Sequence, residues 1–117
     1  CSKAALAIMT KNIANSLTGH QIRVNALNIG WTDTPAEHDI QKRVHNKGDD
    51  WLEQEESKVP FKRLTKTIDV AKGLAFMCSE ESGLMTGSVI DFDQTVNGWH
   101  SYSAYETKIL DDSLLGE

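Results

Sequence analysis

The stretch IRVNALNIGWTDTP at residues 22–35 decides how the chain folds. Its first half alternates apolar and polar residues and is rich in branched side chains, which predicts a strand over residues 22–28 that Gly30 ends. Pro35 then favours the first turn of a helix, because a backbone N–H is not needed there. A strand that leads into a helix in this way is typical of an alternating α/β protein.

A helical pattern precedes this strand. Apolar residues recur at helical spacing from Leu6 to Leu17 and predict a helix over Ser2–Leu17, with the apolar stripe facing a core. Thr18 and Gly19 supply the stop signal for that helix.

The segment after the strand is polar and charged. Residues 35–64 have room for two short helices, the second near residues 51–58, and we expect a solvated, weakly packed excursion from the core. A further amphipathic helix is predicted over Thr67–Cys78, followed by a second strand within SVIDFD at residues 88–93. The core face of that helix is assigned to Ile68, Ala71, Leu74, Ala75 and Cys78.

The order helix, strand, insert, helix, strand predicts an α/β protein with a parallel sheet. Two strands, however, leave the edges and faces of a parallel sheet uncovered. The chain also opens inside a helical pattern, without Met or a leader. We therefore expect these 117 residues to be the C-terminal part of a larger fold.

Composition excludes several classes of partner. The net charge of -5 and the scattered basic residues argue against nucleic acid. No apolar run reaches the roughly 20 residues that span a bilayer, so we expect no membrane partner. Cys1 and Cys78 form no Cys-x-x-Cys pair, which favours a reducing, cytoplasmic location, with Cys78 as a buried thiol.

The segments SKAAL, RVNALNIGWTDTP and PFKRLTKTIDVAKGLAFMCSEESGLMTGSVIDFD resemble, in this order, the second half of a short-chain dehydrogenase/reductase. The resemblance covers nearly everything from residue 2 to residue 93. It implies that residues 1–117 are the C-terminal portion of one Rossmann-like, doubly wound parallel sheet, incomplete in this chain. It also implies a variable substrate lid at residues 35–64. Residues 94–117 have no pattern that the family accounts for, and we expect an irregular tail there.

Lys3 matches the catalytic lysine of that family, which follows a catalytic tyrosine by four residues. The tyrosine would lie two residues upstream of Cys1. Residues four apart share a helix face, so the ammonium would lower the pKa of the phenol and let it act as a general acid or base. The resemblance also implies that Lys3 holds the nicotinamide ribose. From the pattern alone, Lys3 is a solvated side chain.

The loop after the first strand reads IGWTDT at residues 29–34, where the family has Pro-Gly-x-Val/Ile-x-Thr. The resemblance implies that Ile29, Gly30, the main chain at Thr32 and the hydroxyl of Thr34 bind the nicotinamide of NAD or NADP, a choice that stays open. Ile29 departs from the family's proline and loosens the backbone there. The structural alternative to cofactor binding is that the glycine ends the strand and the Thr-Asp pair caps the helix that follows. The two interpretations are compatible with each other.

Substrate contacts are assigned by the same resemblance to Trp31, His38 and Trp51, although Trp51 could equally anchor the insert to the core. His38 and His45 lie seven residues apart without a third ligand, so we expect no metal. The family commonly ends its last strand with Asp-Gly-Gly. Here Asp93 is followed by Gln94 and Thr95, which alters the turn.

The resemblance implies an oxidoreductase that transfers a hydride between NAD(P) and a secondary alcohol or ketone, with a polar small molecule as substrate. It also implies a homo-oligomer, a dimer or a tetramer. The alternatives are a non-catalytic, truncated module that acts through subunit assembly, and a fragment that folds poorly.

We expect the isolated 117 residues neither to bind the cofactor tightly nor to turn over, because no Gly-x-Gly-x-x-Gly occurs among the eight glycines. Calorimetry with NADH and NADPH, together with the absorbance of the reduced nicotinamide, checks this. Hydride transfer by these residues alone would contradict it.

Overall fold

The computed structural model describes residues 1–95, which form four α-helices, two short 3-10 helices (Thr18–His20 and Glu80–Ser82) and two pairs of parallel strands. Apart from residues 94 and 95, the predicted tail at 94–117 lies outside the described residues. The helices are α1 (Ser2–Leu17), α2 (Pro35–Arg43), α3 (Trp51–Glu56) and α4 (Thr67–Cys78), and the strands are β1 (Ala26–Ile29), β2 (Thr32–Asp33), β3 (Thr65–Lys66) and β4 (Val89–Phe92).

The two longer strands confirm the predicted parallel arrangement. β1 pairs with β4 in a register that runs from Ala26 opposite Val89 to Ile29 opposite Phe92. α4 lies between these strands in the sequence, so the unit is a strand, a crossover that contains helices, and a parallel strand. This is the α/β order that the sequence predicts.

β1 begins later than the predicted strand at residues 22–28. Before β1, side chains rather than a paired strand make hydrogen bonds to the backbone. The Val24 N–H donates to the Thr86 hydroxyl at 3.1 Å. The Asn25 amide donates to the Met85 carbonyl at 2.8 Å, and its oxygen accepts from the Ser88 N–H at 3.1 Å. The ladder of regular pairs therefore starts at Ala26.

The helix bounds follow the predictions closely. α1 and α4 span the predicted residues, and α2 begins at Pro35, with Glu37 in its first turn and Lys42 and Arg43 in its last. α3 ends two residues before the predicted residue 58. A proline at position 60 disfavours helical backbone in the residue before it, which limits how far α3 can continue.

α4 approaches the sheet through Gly73. A Cβ at this position would lie 3.3 Å from Cδ1 of Leu27 on β1 and 3.3 Å from Cε2 of Phe92 on β4. Met77, one turn further along the helix, is buried. The face of α4 that meets the sheet therefore contains Gly73 and Met77.

The predicted core faces of α4 and α1 are wrong for the described residues. Ile68 and Leu74 of α4 are 58% and 47% exposed, and Cys78 is exposed rather than a buried thiol. On α1, Leu6 and Met9 are also exposed, whereas Thr10 and Ala14 are buried. The physical reason on α4 is that a two-stranded sheet covers only one side of the helix, whereas on α1 the buried Ala14 lies near Gly87, where a Cβ would be 3.5 Å from that of Ala14.

The insert at residues 35–64 is not weakly packed throughout, which corrects that expectation. Trp51 is 1% exposed and Leu64 is 0% exposed, and these are the largest fully buried side chains among residues 1–95. Two apolar anchors therefore hold a segment whose outer surface is charged. None of the helices described in residues 1–95 is long and apolar enough to cross a membrane.

We expect Gly73→Val to lower the free energy of unfolding by about 1–3 kcal/mol, because the added side chain would press against Leu27 and Phe92. Denaturant unfolding checks this. The matched control is Gly19→Val, since a Cβ at Gly19 meets nothing within 4 Å. Equal losses for the two variants would contradict the packing argument.

Candidate functional site

The candidate site lies at the carboxyl ends of β1 and β4. The Gly30 N–H donates to the Phe92 carbonyl at 3.1 Å and extends the contact between the strands by one residue. The chain then enters β2, whose Thr32 pairs with Thr65 of β3. The Thr65 N–H donates to the Trp31 carbonyl at 3.2 Å. The predicted cofactor loop, residues 29–34, is thus held on both sides by backbone hydrogen bonds.

Gly30 is required by a close contact within this chain. A Cβ at this position would lie 2.2 Å from Cγ of Asp93, so any other residue would displace the Asp93 carboxylate. That carboxylate also accepts from the Gln94 N–H at 2.7 Å and from the Thr95 hydroxyl at 2.6 Å. The predicted contact of Gly30 with a ligand stays a prediction.

The two threonines of the loop have different local partners. The Thr32 hydroxyl donates to the Gly30 carbonyl at 2.9 Å. The Thr34 hydroxyl oxygen accepts from the Glu37 N–H at 3.1 Å and caps α2. The structural alternative at this loop is therefore confirmed, with Thr34 as the N-cap. Among the described contacts the hydroxyl hydrogen of Thr34 has no acceptor, so it remains available to a ligand.

Lys3 and Ile29 both face solvent. Lys3 lies in the first turn of α1, and within residues 1–95 its ammonium makes no hydrogen bond or ion pair. Ile29, the last residue of β1, is exposed on its side chain. The predicted contacts of Lys3 and Ile29 with a cofactor stay predictions.

Trp31 is held at the edge of the loop by a polar network on α2. Its indole Nε1 donates to Glu37 Oε1 at 2.8 Å, and the Gln41 amide donates to the same oxygen at 2.6 Å. These two donors, Gln41 first, lower the pKa of Glu37 below its usual value of 4.5. The Trp31 ring also stacks on Trp51 with ring centres 6.2 Å apart, and the residue remains 37% exposed.

His38 connects Trp51 to β2. Its Nε2 lies 2.8 Å from Oδ1 of Asp33, and its Nδ1 lies 3.2 Å from Nε1 of Trp51. An indole N–H can only donate, so Nδ1 of His38 is the acceptor and Nε2 carries the hydrogen that is donated to Asp33. Both ring nitrogens are thereby used, one by Trp51 in the insert and one by Asp33 in β2. The near-complete burial of Trp51 fits the alternative that this residue is an anchor.

Lys66 joins β3 to two carboxylates. Its Nζ donates to Oε1 of Glu56 at 2.7 Å and to Oδ2 of Asp33 at 3.0 Å. The hydrogen bond from Lys66 is the main reason why the pKa values of Asp33 and Glu56 are lowered, and Glu56 is the main reason why that of Lys66 is raised. Glu56 also accepts from the Leu64 N–H at 3.0 Å. The bridge fastens α3 to the β2–β3 pair.

A cavity of about 230 Å³ opens beside this network. Arg63 on its wall donates to Asp69 at 2.6 Å, and this contact, followed by the Lys66 N–H, lowers the pKa of Asp69 to about 2. Within residues 1–95, histidine, cysteine and acidic side chains form no group of three that could hold a metal. The residues that line the cavity are Phe61, Arg63, Leu64, Thr65, Asp69, Asp91, Phe92, Asp93 and Gln94.

Sequence reasoning missed Glu37, Gln41, Glu56 and Lys66. Glu37 and Gln41 stand four residues apart on a predicted helix, and that spacing could have been recognised as an interacting pair. Lys66 and Glu56 carried no such signal, because their contact depends on the return of the insert to β3.

The fold and the loop define a class of protein: a parallel α/β protein with a loop at the carboxyl ends of two strands, where open α/β sheets bind their ligands. A family model described as Enoyl-(Acyl carrier protein) reductase matches residues 1–97. The 3-oxoacyl-(acyl-carrier-protein) reductase FabG of Thermotoga maritima is 36% identical over 92 residues, which cover 79% of this chain and 35% of that protein.

Two solved structures have a similar fold. A short chain dehydrogenase family protein from Francisella tularensis is 37% identical, with a TM-score of 0.68, over 80% of this chain and 40% of that one. L-sorbose reductase from Gluconobacter frateurii, complexed with NADPH and L-sorbose, is 29% identical, with a TM-score of 0.72, over 83% of this chain and 39% of that one.

The chain therefore belongs to the short-chain dehydrogenase/reductase family, and the Rossmann-like fold inferred from the sequence is confirmed. It spans 35% of the length of the Thermotoga relative and 39% to 40% of the two structural neighbours.

We expect Lys66→Met to lower the free energy of unfolding by about 1 kcal/mol at neutral pH, because two carboxylates lose their shared donor. The pKa values of Asp33 and Glu56 lie below 3.8 and 4.5, so the bridge stabilises the fold above those pH values. That contribution disappears as the pH falls through the lowered pKa values, and the loss caused by the substitution should shrink with it.

Urea unfolding at a series of pH values measures this difference. Lys58→Met is the control, because Lys58 is more exposed than Lys66 and contacts Glu55 within the insert. A loss that stays constant down to acidic pH would contradict the role of the bridge.

Proposed function

We propose that the protein carrying this sequence is an NAD(P)-dependent oxidoreductase that moves a hydride between the nicotinamide and a secondary alcohol or ketone. The observation that carries the proposal is the position of residues 29–34 at the carboxyl ends of β1 and β4, in a chain that belongs to this family. Ligands of open α/β sheets bind in the crevice outside those ends.

The donors and acceptors of the loop fit a nicotinamide carboxamide, which has one acceptor oxygen and one donor NH₂ group. The Thr34 hydroxyl can donate to that oxygen while it still caps α2, and the main chain at Thr32 is the other proposed contact with the carboxamide. The Lys3 ammonium is a donor for ribose hydroxyls. When bound, the nicotinamide supplies or accepts the hydride. The choice between NAD and NADP stays open.

Lys3 has a second role in this proposal. A tyrosine four residues before it would share its helix face, and the ammonium would favour the phenolate. The phenol could then exchange a proton with the substrate oxygen as the hydride moves. Lys3 thus assists proton transfer without contacting the reacting carbon.

A polar small molecule is the proposed substrate, with Trp31 as its contact in this chain. Trp31 is the partly exposed aromatic residue of the cofactor loop. Its indole N–H is bound to Glu37, and the Lys47 ammonium lies 5.8 Å from the ring centre, so the exposed part of the ring is what it offers to a substrate. His38 and Trp51 support that ring from within the insert. The L-sorbose bound by one structural neighbour is consistent with a hydroxylated substrate here. The homo-oligomer and the cytoplasmic location remain part of this proposal.

The proposed function is tested with the whole protein, NADH or NADPH and a panel of hydroxylated ketones, by the absorbance of the reduced nicotinamide. Turnover with either cofactor supports the proposal. Absence of turnover, together with a stable oligomer that binds no nicotinamide, would overturn it in favour of the non-catalytic module.

We expect Lys3→Met to lower kcat/KM by at least about 10²-fold, because it removes the charge that activates the phenol. Steady-state kinetics measure the loss. Lys11→Met, on the same helix and exposed, should leave kcat/KM within about twofold. Full activity in the Lys3 variant would refute this role.

A further inference from the structure

Gln94 stands where the family commonly has a glycine, and its side chain makes two hydrogen bonds to the end of the insert. Its Oε1 accepts from the Phe61 N–H at 2.9 Å, and its Nε2 donates to the Arg63 carbonyl at 3.0 Å. The amide bonds the backbone of two alternate residues, as a neighbouring strand would. A glycine could make neither bond.

The backbone between those two bonds is strained. Lys62 has a φ of 55°, a left-handed conformation that costs free energy for a residue with a side chain. Such a conformation persists only where the surroundings hold it. Local contacts are the Lys62 N–H to the Val59 carbonyl at 3.1 Å and the Lys62 ammonium to the Ser57 carbonyl at 2.7 Å.

Burial does not hold this segment in place. Phe61 is 76% exposed, and Lys62 and Arg63 are exposed as well. The Arg63 side chain reaches α4 through Asp69, at 2.6 Å. Among the hydrogen bonds of residues 1–95, the two made by Gln94 are the ones that join residues 61–63 to the segment after β4.

The position of Gln94 ties this contact to the cofactor loop. Its own N–H donates to Asp93 Oδ1 at 2.7 Å, and the Asp93 carboxylate lies against Gly30. From residue 63 the chain continues through the buried Leu64 into β3, which pairs with β2. The end of β4, the end of the insert and the cofactor loop are therefore connected through two adjacent residues, Asp93 and Gln94.

We propose that Gln94 is a positioning residue that clamps the C-terminal end of the substrate lid, residues 61–63, onto the end of β4. The lid role in this statement rests on the proposed function. The clamp itself is a structural claim that can be tested without activity. Gln94 contacts neither the cofactor nor the reacting atoms in this proposal, and acts by holding the backbone of the lid.

Limited trypsin digestion of the whole protein tests the clamp, because Lys62 and Arg63 are exposed cleavage sites inside it. Gln94→Ala should speed cleavage after these two residues by about three- to tenfold, since both hydrogen bonds are lost. Gln94→Glu should give an intermediate rate, because the carboxylate still accepts from Phe61 but cannot donate to Arg63. Faster exchange of the Phe61 amide hydrogen should accompany Gln94→Ala, whereas Gln94→Glu, which keeps an acceptor for that N–H, should leave its exchange closer to that of the unsubstituted protein.

Gln54→Ala is the matched control. Gln54 of α3 lies in the same insert and donates to Asp50, the residue before that helix, at 2.7 Å, so its loss should leave cleavage after Lys62 and Arg63 unchanged. Unchanged cleavage in both Gln94 variants, or equal acceleration by Gln54→Ala, would overturn the clamp.

Steady-state kinetics test the positioning role separately from the clamp. Gln94→Ala should raise KM for the substrate several-fold while kcat changes less than twofold, because the lid binds substrate and does not carry the chemistry. Faster cleavage with an unchanged KM would overturn the positioning role and leave the clamp. Faster cleavage in a protein that shows no turnover at all would locate the failure in the proposed function, not in the clamp.

Discussion

The contact between Gly30 and Asp93 is the constraint on which the arrangement around the site depends. It brings the ends of β1 and β4 so close that a Cβ at Gly30 would overlap the Asp93 carboxylate. Beyond this point the two segments of the chain separate: β1 leads into the predicted cofactor loop and β2, and β4 leads into Gln94 and Thr95. Open α/β sheets bind their ligands in the crevice between segments that diverge at the carboxyl ends of neighbouring strands.

Charged side chains then act as structural partners in a segment with little apolar surface. Lys66 donates to both Asp33 and Glu56. Glu37 accepts hydrogen bonds from the Trp31 indole and the Gln41 amide. Hydrogen bonds to ionised groups contribute more than neutral ones when they are partly shielded from water. The insert can therefore be hydrophilic in composition and still be well defined, since its few buried side chains sit beneath a connected polar network.

The exposed apolar faces of α1 and α4 have a simple physical origin. Each helix has apolar residues on more than one side. On α4, the two-stranded sheet meets only the narrow face that contains Gly73 and Met77. The remaining apolar residues, such as Ile68 and Leu74, lie in solvent in the described part of the chain. This agrees with a chain that spans 35% to 40% of the length of its relatives.

Local patterns in the sequence determined the helices, the parallel strand pair, the turn at Gly30 and the family, because periodicity, proline, glycine and short motifs act over a few residues. Only the tertiary structure decided which helix faces are buried and that Trp51 is an anchor. It also decided that Lys66 and Glu56 form an ion pair and that Gln94 bonds the end of the insert. Those outcomes depend on contacts between residues far apart in sequence, such as Gln94 with Phe61 and Lys66 with Asp33. No local pattern specifies where the insert returns to the sheet, so no reading of single segments could have found them.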